Sequence, residues 1–197
     1  DYDRCVSCGQ CLVSCPFGAI VDKSQIYQVI RSILEGNEVV AIVAPSFVGQ
    51  FGRDVTVPKF LTAMKQLGFA DVVEVAAGAD ICAIEEARDF LEKVPTEQRF
   101  MATSCCPSWR MMARRLFPNE SGNISMTYTP MVYTARMVKE QHPGCKVVFV
   151  GPCAAKKLEA MQEELRNDVD FVLTYEEMMG IFEAKNVDLE TIEPDEE

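Results

Sequence analysis

Short apolar runs alternate along the chain with segments whose apolar positions recur every third or fourth residue. The runs at 39–45, 71–76, 99–104, 146–151 and 170–174 have the length and the Val/Ile/Phe content of buried strands. Between them, 24–34 places Ile26, Val29, Ile30, Ile33 and Leu34 at helical spacing, and 59–67 and 84–91 do likewise. Alternation of this kind predicts an α/β fold, a largely parallel sheet flanked by helices. In such sheets chemistry gathers in the loops beyond the carboxyl ends of the strands. The residues expected in those loops are unusual ones: Ala44, Pro45 and Ser46 after the first run, Gly78, Ala79 and Asp80 after the second, the Cys105-Cys106 pair after the third, and Pro152 and Cys153 after the fourth.

Composition narrows the function classes. The 197 residues are 48% hydrophobic and 25% charged, enough to bury a core and unlike a disordered tail. A net charge of -11 removes the basic footprint of a nucleic-acid binder and suits small neutral substrates or basic protein partners. No apolar run reaches the length of a membrane span, so membrane insertion is not expected. The first residues lack the basic start and apolar run of a signal peptide. Nine cysteines, an odd number in short clusters, fit metal ligation in a reducing compartment better than a disulfide framework, which points to the cytoplasm.

Four of the nine lie in Cys5-x2-Cys8-x2-Cys11-x3-Cys15-Pro16. Three closely spaced thiolates of one loop can grip one face of an iron-sulfur cube, while the fourth, followed by proline, leaves in another direction. A zinc site, the alternative, usually pairs two short clusters far apart. The motif resembles bacterial ferredoxins over roughly the first 20 residues, and we place a boundary near Asp22: residues 1–22 form a small ferredoxin-like iron-sulfur segment ahead of the α/β layer of 23–197. In two-cluster ferredoxins the fourth cysteine serves the other cluster. Either Cys15 closes this [4Fe-4S] cluster, or its partner motif lies upstream of Asp1.

In Thr103-Ser104-Cys105-Cys106-Pro107-Ser108-Trp109 the proline suits the first turn of a helix. Adjacent residues of the extended segment before it point apart, so one thiol can ligate a buried metal while its neighbour faces a different space. Gly151-Pro152-Cys153-Ala154-Ala155-Lys156 has the same architecture, and Lys156 lies about one turn along its helix, within reach of an anionic ligand. Each motif alone also suits a small buried cysteine. Together, after a ferredoxin segment, they resemble the first two signature motifs of the [FeFe]-hydrogenase catalytic domain, and the resemblance extends over most of the chain, through Asn123-Ile124-Ser125 to Tyr175-Glu176-Glu177.

The resemblance implies that dihydrogen is interconverted with protons and electrons on an H-cluster, a [4Fe-4S] cubane joined to a diiron centre. It implies that Cys106 and Cys153 ligate the cubane and that Cys105 exchanges protons at the diiron site. Lys156, Ala44, Pro45, Ser46 and Pro152 would line the cofactor pocket. Glu86, Ser125 and Asp89 would carry the proton path; Glu86 and Asp89, three apart on a predicted helix, also suit an ordinary solvated face. A ferredoxin or another redox protein or domain would exchange electrons, and the setting would be anaerobic. Several positions depart from the family pattern: Gly151 stands where many members have methionine, Ala154 where threonine is common, and Asp89 where glutamate is usual. The third signature motif, which supplies the remaining cubane cysteines, does not occur before Glu197, so the length is expected to mark a fragment. A hydrogenase-like iron-sulfur assembly or sensor protein, or an electron-transfer fragment, is the alternative. Cys82, Cys145 and the methionines read as core or loop residues, His142 as a turn residue after a helix, and Arg110, Arg114 and Arg115 as a solvated basic face. Glu193 to Glu197 reads as a solvated loop.

Overall fold

Four of the five apolar runs become strands of a single sheet in the computed structural model, which describes residues 4–195. Asp1, Tyr2 and Asp3 at the start and Glu196 and Glu197 of the acidic end lie outside the described residues. The strands are β1 (Val39–Val43), β2 (Asp71–Glu74), β3 (Lys146–Gly151) and β4 (Phe171–Thr174). All pairings are parallel, in the order β2-β1-β3-β4. The helices are α1 (Gln10–Ser14), α2 (Ile26–Leu34), α3 (Val57–Gln66), α4 (Ala76–Lys93), α5 (Pro107–Leu116), α6 (Pro130–Gln141), α7 (Ala155–Ala160) and α8 (Tyr175–Ala184). Among the described residues no helix is long and apolar enough to cross a membrane.

Every residue of β1 is buried because helices cover both faces of the sheet. One face packs Val39, Ala41, Val43, Val148, Val150 and Leu173 against Phe60 and Met64 of α3 and Met178 and Phe182 of α8. The other packs Val40, Ile42, Val147, Phe149 and Val172 against Met131, Val132, Ala135 and Val138 of α6. The α8 start is fixed by a reciprocal cap: Thr174 Oγ1 accepts from the Glu177 N–H at 3.3 Å and Glu177 Oε2 accepts from the Thr174 N–H at 2.8 Å.

Two expectations fail here. Residues 99–104 are not a strand. They contribute one isolated bridge, Ala102 to Ile124, held by the Ala102 N–H on Asn123 O and the Ser125 N–H on Ala102 O, both at 2.8 Å. The run is too polar to be buried on two faces: Phe100 is 45% exposed and Arg99 and Thr103 are open to solvent. Nor do Gly78, Ala79 and Asp80 form a loop. They lie in α4, which begins eight residues earlier than the apolar spacing of 84–91 indicates. Glycine signals a turn in sequence, but Gly78 is needed where α4 crosses α6. A Cβ there would stand 2.2 Å from Thr134 Oγ1 and 2.5 Å from Pro130 O. The end of the chain matches its reading as exposed, irregular chain through Asp195, whose N–H is tied to Thr62 Oγ1 at 2.9 Å.

Gly78→Ala is expected to destabilise the fold by about 1–3 kcal/mol, because the backbone of α6 cannot yield as a side-chain tip can. Chemical denaturation of the variant checks this; an unchanged midpoint would show that the helices separate freely.

Candidate active site

The sheet order reverses direction between β1 and β3, so the loops that follow these strands part there and leave a crevice at one edge. After β1, Ala44 stays in the sheet layer through its N–H on Val150 O at 2.9 Å, while Pro45 and Ser46 turn outward as a short 3-10 segment, Pro45–Phe47. Tyr175, at the start of α8, holds this turn: its hydroxyl donates to Ala44 O at 3.1 Å and lies 2.7 Å from Ser46 Oγ. After β3 come exposed Pro152, then half-buried Cys153 at the entry to α7. Gly151 has no room for a side chain, since a Cβ would meet the Phe149 ring at 2.4 Å. The ring of Phe149 fills the space that a longer residue at 151 would need.

The third loop ends in Cys105 and Cys106, both exposed. Cys106 is the N-cap of α5; its backbone is extended and its Sγ accepts the Trp109 N–H at 3.4 Å. A sulfur there faces the positive end of the helix dipole. Trp109 Nε1 donates to Thr103 O at 2.9 Å, closing the loop from its other side. Lys156 joins the two inner motifs. Its Nζ donates to Cys105 O at 3.1 Å and to Glu159 Oε2 at 2.6 Å, with Glu159 only 2% exposed. The sequence reading misses Glu159; its signal is the three-residue spacing from Lys156 on one helix.

Cys82 is buried, as its sequence reading has it, but near residues that the sequence does not connect to it. This thiol donates to Tyr128 O at 3.4 Å and is pushed up to about 11, first by burial and then by the nearby charges of Glu86 and Cys105, with Lys156 opposing. Cys82 therefore sits among three residues singled out by motif. It lies one turn before Glu86 on α4, and Asp89 follows one turn later, so the signal is the recurrence 82, 86, 89 on a single helix. Asp89 and buried Ser125 line a common cavity of about 340 Å³, with Lys93, Glu97 and Asn123 on its other walls. Asp89 is paired with Lys93 at 2.5 Å, and Ser125 Oγ accepts the Thr127 N–H at 3.2 Å. Cys145, by contrast, is a core residue beneath the sheet, as the sequence suggests. His142 ends α6, with Nδ1 2.6 Å from Glu38 Oε1.

Cys5, Cys8, Cys11 and Cys15 occupy the irregular amino-terminal loop around α1, with Cys15 half-buried and the others exposed. Ser7, at φ 56, turns its N–H onto Cys5 Sγ at 3.4 Å. That bond, with the Ser7 hydroxyl next, holds the Cys5 thiol below its ordinary value; the Phe17 and Ala19 N–H groups do the same for Cys15. Four thiols, two of them with backbone N–H groups turned to sulfur, are a donor set that suits an anionic iron-sulfur group. Among the described residues no three His, Cys, Asp or Glu side chains converge on one point, so this fit rests on the chemistry and spacing of the donors. The loop is joined to the α/β layer on two sides. Arg115 of α5 donates to Cys5 O at 2.8 Å, which gives the basic face of α5 a contact where solvent was expected. Lys157 of α7, 7% exposed, pairs with Asp22 Oδ2 at 2.5 Å and Glu177 Oε2 at 2.9 Å and donates to Lys23 O at 3.1 Å.

The family model described as the C-terminal domain of the iron-only hydrogenase large subunit matches residues 37–197, and that of a 4Fe-4S binding domain matches residues 1–21. The chain is 30% identical to the NADP-reducing hydrogenase subunit HndD of Solidesulfovibrio fructosivorans, over 98% of this chain and 37% of that protein. It is 31% identical to iron hydrogenase 1 of Clostridium pasteurianum, over 92% of this chain and 35% of that protein. The cytosolic Fe-S cluster assembly factor NAR1 of Kluyveromyces lactis matches at 27% identity over 51% of this chain and 21% of its own length. Among solved structures, the [FeFe]-hydrogenase HydA(deltaEFG) superposes with a TM-score of 0.78 at 24% identity, over 88% of this chain and 50% of that one, a likeness of fold. The chain thus spans little more than a third of the curated hydrogenases it matches and about half of the solved chain.

Lys157→Met is expected to cost about 3 kcal/mol or more, because it strands the carboxylates of Asp22 and Glu177. Burial alone would raise Glu177, but the Thr174 N–H, Ser24 and Lys157 outweigh it and hold the carboxyl below its ordinary 4.5. A carboxyl more acidic folded than unfolded gives stability that is present above pH 4.5 and lost as the pH falls below it. Denaturation midpoints measured from neutral pH downward should fall less steeply in Lys157→Met than in the wild type; parallel curves would refute the pairing.

Proposed function

Because the chain belongs to the family of the iron-only hydrogenase large subunit, we propose that it is part of an enzyme interconverting dihydrogen with protons and electrons. The observation that carries this reading is the pairing of two adjacent cysteines at the start of α5 with a lysine from the Cys153 motif, at the crevice edge of the sheet. Cys106 and Cys153 are the residues that would hold an inner cubane, and Cys5, Cys8, Cys11 and Cys15 an outer cluster. When bound, these clusters would pass electrons to the diiron centre joined to the cubane, where protons would be reduced.

The chain's own residues have separate tasks. Cys106, capping a helix, presents its sulfur as a metal ligand at the positive end of the helix dipole. Cys105, one residue earlier, keeps its thiol free of that cap and carries a proton at Sγ. Lys156 grips the Cys105 carbonyl and so fixes the direction of that thiol, while Glu159 balances the lysine's charge out of solvent. Tyr175 holds Ala44 and Ser46 as a wall of the pocket. Outward, Glu86 follows Cys82 by one turn of α4, and Asp89 and Ser125 meet at a cavity that can hold water between them. Protons would travel from that cavity through Asp89, Ser125 and Glu86 to Cys105. Nine cysteines, none of them in a disulfide, suit a reducing setting, and we place the protein in an anaerobic cytoplasm with a ferredoxin-like electron carrier as its partner.

The NAR1 relative keeps a second reading in view, an iron-sulfur assembly protein of the same fold. Cys105 favours the enzyme, since an assembly scaffold needs the ligand at 106 but no proton-carrying neighbour. In the intact protein, Cys105→Ala is expected to lower hydrogen turnover by about 10²–10⁴-fold with iron content unchanged, whereas Cys106→Ala lowers iron content itself. Wild-type turnover in Cys105→Ala would sink the relay. Infrared bands of metal-bound carbonyl and cyanide in the wild type would support the hydrogenase reading, and iron without those bands would favour the assembly reading.

A further inference from the structure

Helix α5 connects the two cysteine regions. Cys106 caps its amino end and Arg115 lies in its last turn, about 14 Å further along the axis at helical rise. At that end the Arg115 guanidinium donates to the carbonyl oxygen of Cys5 at 2.8 Å. A cavity of about 560 Å³ lies where the cysteine loop meets α5 and α7, with Val6 and Ser7 on one wall, Arg110, Arg114 and Arg115 on a second and Glu159 of α7 on a third. The carbonyl end of a helix carries about half a negative charge. Left bare, it would repel the anionic group that four thiolates hold next to it. Arg115, in the last turn, sets a positive charge against that end, while Arg114 beside it turns its guanidinium to Met126 Sδ at 3.1 Å.

We propose that Arg115 is a positioning residue for the amino-terminal cluster: it clamps the Cys5 loop onto α5 and keeps a fixed positive charge beside the cluster, which raises its reduction potential. This rests on the reading of residues 1–21 as a 4Fe-4S binding domain. Adding one electron to such a cluster makes it one charge more negative, so a neighbouring cation stabilises the reduced form more than the oxidised form. The guanidinium does two things at once. Its N–H fixes the loop through a carbonyl, and its charge acts on the sulfur that follows from the same residue. Methionine at 115 removes both; lysine keeps the charge but loses the planar fork.

Redox titration of the intact protein, followed by the paramagnetic signal of its reduced amino-terminal cluster, tests this without reference to hydrogen turnover. Arg115→Met is expected to move the midpoint to a more negative potential and to speed proteolytic cleavage within residues 4–22. Arg115→Lys should recover most of the potential but less of the protection. Arg31→Met, which removes a cation from exposed α2, should change neither. A wild-type signal whose midpoint and protection are both unmoved in Arg115→Met overturns the proposal while leaving the cluster reading intact. A wild-type protein that gives no such signal overturns the cluster reading, and the proposal with it.

Discussion

Val39 to Val43 of β1 lie in parallel register with Lys146 to Val150 of β3, at the centre of the sheet. Because the two strands run the same way, they end on the same edge, and the chain leaves them there in opposite lateral directions. Every element of the candidate site follows from that pairing. Ala44, Pro45 and Ser46 emerge beside Pro152 and Cys153, and the α5 loop with Cys105 and Cys106 reaches the same edge through the bond from Lys156. An antiparallel pairing of the same two strands would put the β1 loop and the β3 loop at opposite ends of the layer.

Much of this was legible in the sequence where local pattern and tertiary role agree. Val-Val-Ala-Ile-Val and Lys-Val-Val-Phe-Val-Gly have no polar alternation, which is how a strand buried on both faces reads, and both are strands. Pro107 after Cys106 marked the start of α5 because proline suits a first turn. The failures have physical causes. Gly78 looks like a turn because its tertiary reason, contact with the α6 backbone, is invisible locally. Residues 99–104 look like a strand because Phe100, Met101 and Ala102 are apolar, but Arg99 and Thr103 face solvent and leave no second face to bury. Cys82 reads as a lone buried thiol because the groups whose charges act on it, Cys105 and Lys156, are distant in sequence and come near only in the fold.

Two adjacent lysines on α7 illustrate how one short helix serves two parts of the molecule. Lys156 points to the Cys105 loop and Glu159, whereas Lys157 points to Asp22, Lys23 and Glu177 at the junction of the iron-sulfur segment and the α/β layer. Successive residues on a helix face about 100° apart, so the two ammonium groups diverge without any distortion. Each is largely buried, and each would be costly to desolvate alone. Their carboxylate partners make the arrangement tolerable and leave α7 little freedom to rotate.

The central position of β1 also bears on how the molecule is made. Its neighbour β2 follows closely in the chain, but its other neighbour, β3, is separated from it by α3, α4, α5 and α6. During synthesis, therefore, one edge of a wholly apolar strand emerges from the ribosome and stays unpaired until more than half of the chain has appeared. Pairings between such distant segments form slowly, and an open apolar edge invites association with other chains in the interval. The strand order that creates the crevice thus leaves the growing chain with an open apolar edge for longer than pairing between neighbouring segments would.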